Sequence, residues 1–209
     1  MKKMSVFFAV FMCLAFVAHA QVILGGSASL LSNDGNSQLG GGVQLKFMIA
    51  ERLAIGGTVR AYPKNFTEEN VNIGGTPSTV RSANAVIPVA GMIEYYLGKN
   101  NNFQPYLGTD AGLYFNKNFT EISSGNTTVV NQETSKSYFG IAPKGGLQIK
   151  LGGLFAIFGQ AQYNFLFGSG DPDKITVPGF GGASIETKPS DKFWTFDAGI
   201  LLRLRAAGK

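Results

Sequence analysis

Between residues 138 and 151 the chain reads YFGIAPKGGLQIKL, with Phe139, Ile141, Leu147, Ile149 and Leu151 at odd positions and Lys144, Gln148 and Lys150 at even ones. Successive side chains of a strand point to opposite faces, so alternation sustained over this length specifies a β-strand with one apolar and one polar side. The pattern recurs in LFAIFGQAQYNFLF (154–167) and FWTFDAGILLRLR (193–205). Five more segments share it, at 22–31, 38–49, 53–62, 84–97 and 103–116. Their polar faces carry Ser27 with Ser29, Gln44 with Lys46, Thr58 with Arg60, Asn84 with Glu94, and Gln104 with Asp110. The count is eight strands. After residue 21 no uninterrupted apolar stretch is long enough for a membrane helix.

Connections alternate in length. Residues 50–52, 98–102 and 152–153 are short turns, whereas 32–37, 64–82, 117–137 and 168–191 are longer, polar and rich in Gly, Asn, Ser and Thr. The pentapeptide KNFTE occurs at 64–68 and again at 117–121, each time shortly after an aromatic, Tyr62 or Phe115. One loop, one returning strand, one turn and one outgoing strand separate the copies. They therefore occupy equivalent places, where the third and fifth strands leave the sheet, and this explains the repeat better than a paired ligand site does.

The choice of face decides the solvent. Lys46, Arg60, Glu94, Asp110, Lys144, Asp197 and Arg203 all fall on the polar faces, while the opposite faces carry large aliphatic and aromatic residues with almost no charge. A soluble barrel would have to pack those seven ions into an apolar core at a cost of several kcal/mol each. Turning the apolar face to hydrocarbon and closing the sheet satisfies side chains and backbone together. Phe115, Phe139, Phe165, Phe167 and Trp194 then gather near the loop end, and Phe47, Tyr95, Phe103 and Phe155 near the turn end, as two interfacial girdles.

The first 20 residues place Lys2 and Lys3 before an apolar run and end in Ala18-His19-Ala20. This reads as a cleaved secretory signal, which leaves 21–209 as one barrel domain. Of 18 Lys+Arg two lie in the leader, so 16 face 13 Asp+Glu in the mature chain. Cys13 and His19 are also removed, and no other Cys or His exists. Disulfides, Cys/His metal sites and His-dependent triads are thereby excluded. Asp171 and Asp173 in GSGDPDK offer a loop calcium site only weakly, and with Glu68 and Glu69 they read as solvated charge. No catalytic residue, metal or cofactor is expected. No basic cluster dense enough for nucleic acid and no phosphate-binding glycine loop is present.

On its strand pattern and loop asymmetry the chain resembles, over residues 21–205, the small OmpA/OmpX-type outer-membrane barrels. The stretch Asp197-Ala198-Gly199-Ile200-Leu201-Leu202-Arg203-Leu204 is similar to that family's closing assembly signal, although it ends on Leu204 and trails residues 205–209 instead of finishing on an aromatic. The resemblance implies an all-β, eight-stranded antiparallel up-and-down transmembrane barrel with short periplasmic turns and long extracellular loops. It further implies a monomer inserted into the bacterial outer membrane by the barrel-assembly machinery, in contact with lipid and lipopolysaccharide. Lys64, Arg81, Lys117, Lys136 and Lys174 are the cations available to lipopolysaccharide, although scattered loop cations also serve solubility.

Eight strands leave a lumen that side chains can fill. Asp110 and Lys144, on neighbouring strands, are expected to face each other near mid-barrel, and Glu94, Lys46 and Arg203 to cluster towards the turn end. The functional expectation is a non-enzymatic surface or structural barrel whose long loops make contacts. The alternative is a porin-like channel for small or apolar solutes, with Pro88, Pro143, Gly40–Gly42 and Gly145–Gly146 as weak points in the wall or as bulges and tight curves.

Overall fold

The computed structural model describes residues 21–33, 36–73, 76–98, 102–124, 127–168, 173–176, 184–187 and 192–204. Residues 1–20, expected to be a leader, residues 205–209 and Asp171 lie outside the described residues, and so does the Asp171–Asp173 cation reading. Ten strands are present: β1 (Gln21–Asn33), β2 (Asn36–Ala50), β3 (Leu53–Ile73), β4 (Thr76–Tyr96), β5 (Phe103–Ser124), β6 (Thr127–Lys150), β7 (Phe155–Phe167), β8 (Asp173–Thr176), β9 (Ser184–Thr187) and β10 (Lys192–Leu204). Eight of them form one closed barrel in the order β1-β10-β7-β6-β5-β4-β3-β2, and β8 and β9 form a separate two-stranded sheet.

Every barrel contact is antiparallel and, except for β7 with β10 and the closure, joins strands consecutive in sequence. Closure comes from β1 against β10, in register from Val22↔Leu204 to Ser32↔Trp194. Such closure removes both sheet edges, a condition for crossing a bilayer with strands. At the short-turn end Tyr96 N–H donates to the Arg52 carbonyl at 2.8 Å and Leu151 N–H to the Phe155 carbonyl at 2.9 Å. Gly152 turns that corner with φ of 99°, a left-handed conformation in which a Cβ would be strained.

Two expected loops are not loops. Residues 64–82 and 117–137 lie mostly within β3 to β6, which run on beyond the barrel as a four-stranded blade. Alternation of apolar and polar residues fails there, so single-strand periodicity does not show these extensions. The strands persist because each backbone has a partner on the next. The third expected long loop, 168–191, contains the β8–β9 hairpin, and the 32–37 connection narrows to the two residues between β1 and β2.

The blade also places the repeated pentapeptide. Its two copies flank β4 in one common register: Asn65↔Asn84↔Asn118, Phe66↔Ala83↔Phe119, Thr67↔Ser82↔Thr120 and Glu68↔Arg81↔Glu121. On the blade Asn84 Nδ2 donates to Asn118 Oδ1 at 2.7 Å. Arg81 pairs with Glu68 at 2.8 Å, and Lys117 lies 3.7 Å from Glu133. The edge of β3 is blunted by Pro63, by a bulge between Tyr62 and Asn65, and by Gln38, whose side-chain amide donates to the carbonyls of Pro63 and Asn84.

Candidate functional site

The interior of the barrel holds the chemistry of this chain. Inward positions alternate with outward ones on every strand, and one inward polar side chain from each barrel strand reaches a common centre. These are Ser29 (β1), Lys46 (β2), Arg60 (β3), Glu94 (β4), Asp110 (β5), Lys144 (β6), Gln160 (β7) and Asp197 (β10), all 6% exposed or less. Three are cations and three are anions, so the core of the lumen carries no net charge.

They form an alternating chain. Lys46 Nζ donates to both Glu94 oxygens at 3.0 and 2.7 Å. Glu94 Oε1 is also 2.8 Å from Lys144 Nζ, which in turn lies 2.7 Å from Asp110 Oδ1 at an angle outside hydrogen-bond geometry. Arg60 Nη1 donates to Asp110 Oδ2 at 3.2 Å, and Arg60 Nε and Nη2 sit 3.1 and 3.0 Å from Asp197 Oδ2. Asp197 then accepts from Ser29 and, at 2.6 Å, from Gln160, whose Oε1 accepts from the Tyr106 hydroxyl at 2.9 Å. Tyr96 donates to Glu94 at 3.0 Å. A buried ion is tolerable when paired and hydrogen-bonded, and here each ion contacts at least one of opposite sign.

Apolar layers close the charged layer on both sides. Towards the blade Leu31, Tyr62, Val86, Tyr114, Tyr138, Leu166 and Phe193 form one buried cluster. Tyr114 hydrogen-bonds Asn164 at 2.8 Å and meets Phe193 edge-on with ring centres 6.1 Å apart. Towards the short turns Met48 joins two smaller clusters, Ile23–Ala156–Phe158–Leu201 and Ala54–Tyr96–Tyr106. Lys46 Nζ stands 5.3 and 5.6 Å from the Tyr106 and Phe158 ring centres, a distance at which an aromatic face attracts a cation.

Glycine makes room for these large groups. A Cβ at Gly146 would strike the Tyr106 ring, one at Gly140 the Tyr114 ring, and one at Gly42 the Arg60 stem. The clusters Gly40–Gly42 and Gly145–Gly146 are therefore seats for interior side chains; Gly41, Gly42, Gly145 and Gly146 are paired on both sides, and Gly40 with Ser29 on β1. The ladders do skip positions at the prolines: β3–β4 is unpaired at Arg60–Ala61, opposite Ile87 and Pro88, and β6–β7 at 142–143.

The outer face is the reverse of the lumen. Leu24, Val43, Leu45, Ile55, Val59, Val89, Ile93, Leu107, Leu113, Ile141, Ile157 and Ile200 are all exposed, and no Lys, Arg, Asp or Glu alternates with them on that side between the girdles. Aromatics end the band. Phe139 stacks with Phe167 at 6.2 Å, and Trp194 contacts Tyr163 and Phe196 near the blade; Tyr95, Phe103 and Phe155 are exposed near the short turns. A band of apolar side chains between two aromatic girdles is the surface of a protein whose solvent is hydrocarbon.

No protein-family model and no curated protein matches the chain. Solved structures do. A major outer membrane protein from Thermus thermophilus aligns with a TM-score of 0.60 at 10% identity, over 88% of this chain and 99% of that one. The outer membrane protein OprG from Pseudomonas aeruginosa gives 0.56 at 16%, over 90% and 97%. Ail, the attachment invasion locus protein of Yersinia pestis, gives 0.50 at 17%, over 88% and 97%. The chain has the fold of the small outer-membrane β-barrels.

Within this barrel, six of the seven expected lumen ions meet in the network, and Asp110 faces Lys144 as the sequence suggests. Arg203 does not join Lys46 and Glu94. Ile23 stands between Arg203 and Lys46 in register, and Lys46 reaches over β3, past Gly56, to Glu94 on β4, while Arg203 donates to Gln21 Oε1 at 3.1 Å. Sequence reasoning passed over Ser29, Gln160, Asn164 and the inward tyrosines as members of the site. The signal was available: Tyr62, Tyr96, Tyr106, Tyr114 and Tyr138 all occupy inward positions in the alternation, whereas Tyr95 and Tyr163 occupy outward ones.

Proposed function

We propose that this outer-membrane barrel is a closed, non-enzymatic structural protein whose contacts with other molecules are made by the blade and loops above the membrane. A lumen charge chain with no net charge, capped by apolar layers at both ends, carries this reading. An ion crossing would have to break several paired, hydrogen-bonded contacts at once. The blade supplies area for contact: among the described residues the β6–β7 ladder ends at Phe139↔Phe167, so residues 127–135 pair in strands only with β5. A strand edge of that kind accepts another extended chain.

In the same reading the protein is a monomer inserted by the barrel-assembly machinery and surrounded by outer-membrane lipid and lipopolysaccharide. Lys117 and Arg81 face carboxylates on the blade, which argues for contact by shape and backbone pairing rather than by a cationic patch. The deciding experiment is single-channel recording on detergent-refolded protein whose folding is verified by the SDS-gel mobility difference between unboiled and boiled samples. Folded protein without discrete conductance steps is expected. Regular steps would replace this reading by the porin-like channel, and passage of apolar solutes without ionic steps would point to the ladder interruptions at Pro88 and Pro143.

A further inference from the structure

At the short-turn end the lumen opens into a blind vestibule of about 220 Å³, sealed from the charged layer by Ile23, Met48 and Tyr96. Its walls are polar. Gln21, Gln104 and Gln148 face it together with Arg203, Lys150 and Glu51, giving three amides and a charge excess of one cation. Arg203 fixes Gln21 by donating to its Oε1, which leaves Gln21 Nε2 buried without an acceptor among the described residues. Gln148 is 1% exposed and its Oε1 likewise has no donor among the described residues. A buried polar atom without a partner costs on the order of 1–3 kcal/mol, so this end of the barrel is incomplete as a purely structural element.

The unmet groups define a ligand. One donor on β1 and one acceptor on β6, with β10 and β7 between them in the barrel, are arranged to take the C=O and the N–H of an amide from opposite sides. The guanidinium of Arg203 and the ammonium of Lys150 favour a carboxylate beside it. Ile23 and Met48 at the floor suit a small apolar side chain. We propose that the vestibule binds the carboxyl-terminal residue of a peptide, with its carboxylate at Arg203 and Lys150, its amide between Gln21 and Gln148, and its side chain on Met48. The short-turn end of such barrels faces the periplasm, where that chemistry has two sources: wall peptides ending in a D-amino acid and protein chains ending in an L-amino acid.

The test uses the full refolded barrel and four probes, N-acetyl-D-alanine, N-acetyl-L-alanine and the methylamide of each, titrated while the side-chain amide NMR signals of Gln21 and Gln148 are followed. A saturable shift of both signals by an acid, with no comparable response to its methylamide, is expected. Preference for one enantiomer assigns the source. Arg203→Gln should weaken the acid by about tenfold, the loss of one charge-assisted contact, and Gln148→Ala should weaken acid binding while the gel-mobility shift confirms folding. Absence of a saturable shift in the unaltered protein, or equal binding of acid and methylamide, would overturn the proposal.

Discussion

Asp110 is the residue on which the lumen chain turns, because it alone touches both Lys144 and Arg60. Asp110→Asn leaves two buried cations each with one fewer counter-charge, and removing one partner from a buried pair costs about 3 kcal/mol or more. The double variant Asp110→Asn/Lys144→Gln restores the charge balance, so it should be less destabilised than the sum of its single variants. Urea unfolding followed by the loss of gel mobility shift measures both, and additivity of the two singles would show that the chain is not coupled. A second residue-level prediction concerns space. Gly146→Ala puts a methyl into the Tyr106 ring and against the Gly159 carbonyl, which should cost about 1–3 kcal/mol as overpacking. In a Tyr106→Leu background the same change should cost clearly less, and an equal cost in both backgrounds would rule out the seat. The ions themselves could be read from the sequence, since each lies on the polar side of an alternating strand. Their partners could not, except for Asp110 and Lys144 on adjacent strands, because Lys46–Glu94, Glu94–Lys144 and Arg60–Asp110 reach over an intervening strand and Arg60–Asp197 spans the β1–β10 closure, and the combined register of several strands is not encoded in any one of them.

At the level of elements, all eight barrel strands are visible in the alternation, and their short-turn ends agree with the structure to within a residue or two. Their blade ends are not visible. In NFTEENVN and TVVNQETSKS neither face is uniformly apolar, so single-strand periodicity ends at Tyr62 and near Ser137 while the pairing continues to Ile73↔Thr76 and Ser124↔Thr127. What sustains those strands is cross-strand: Asn84 with Asn118, Arg81 with Glu68, Thr79 with Asn70 at 3.0 Å, each of a kind worth roughly 0.2–1 kcal/mol. The lumen chain and its two apolar caps lie below this region, so the blade and the barrel should be separable. Deleting residues 69–80 and 122–130 and joining each pair of strands by Asn-Gly, a sequence suited to a tight hairpin, should leave the gel mobility shift intact. Loss of the shift in either shortened protein would mean that the blade is part of the folding unit. The β8–β9 hairpin had no signal of this kind, being two four-residue strands in a stretch dominated by Gly, Pro, Ser and Asp.

For the whole molecule, the assignment of inside and outside carries every functional statement, and it rests on a reversal of the arrangement in soluble barrels. The interior of this barrel holds three cations, three anions and five tyrosines, while its exterior exposes leucine, isoleucine, valine and phenylalanine. Two outward positions on β5 make the test internally controlled. Ala111 lies between the girdles and Phe103 lies in the girdle near the short turns, and both have their side chains on the outer face. If hydrocarbon surrounds the barrel, an arginine must be most costly where the membrane is thickest around it. Ala111→Arg should then lose about 2–4 kcal/mol of unfolding free energy in lipid vesicles and Phe103→Arg only about 0–1 kcal/mol, since a cation near the interface reaches the headgroups. A barrel surrounded by water would tolerate arginine at Ala111 with almost no loss, and Phe103→Arg would then be the more damaging of the two because it removes more apolar contact. The order of the two variants therefore decides which solvent this surface is built for.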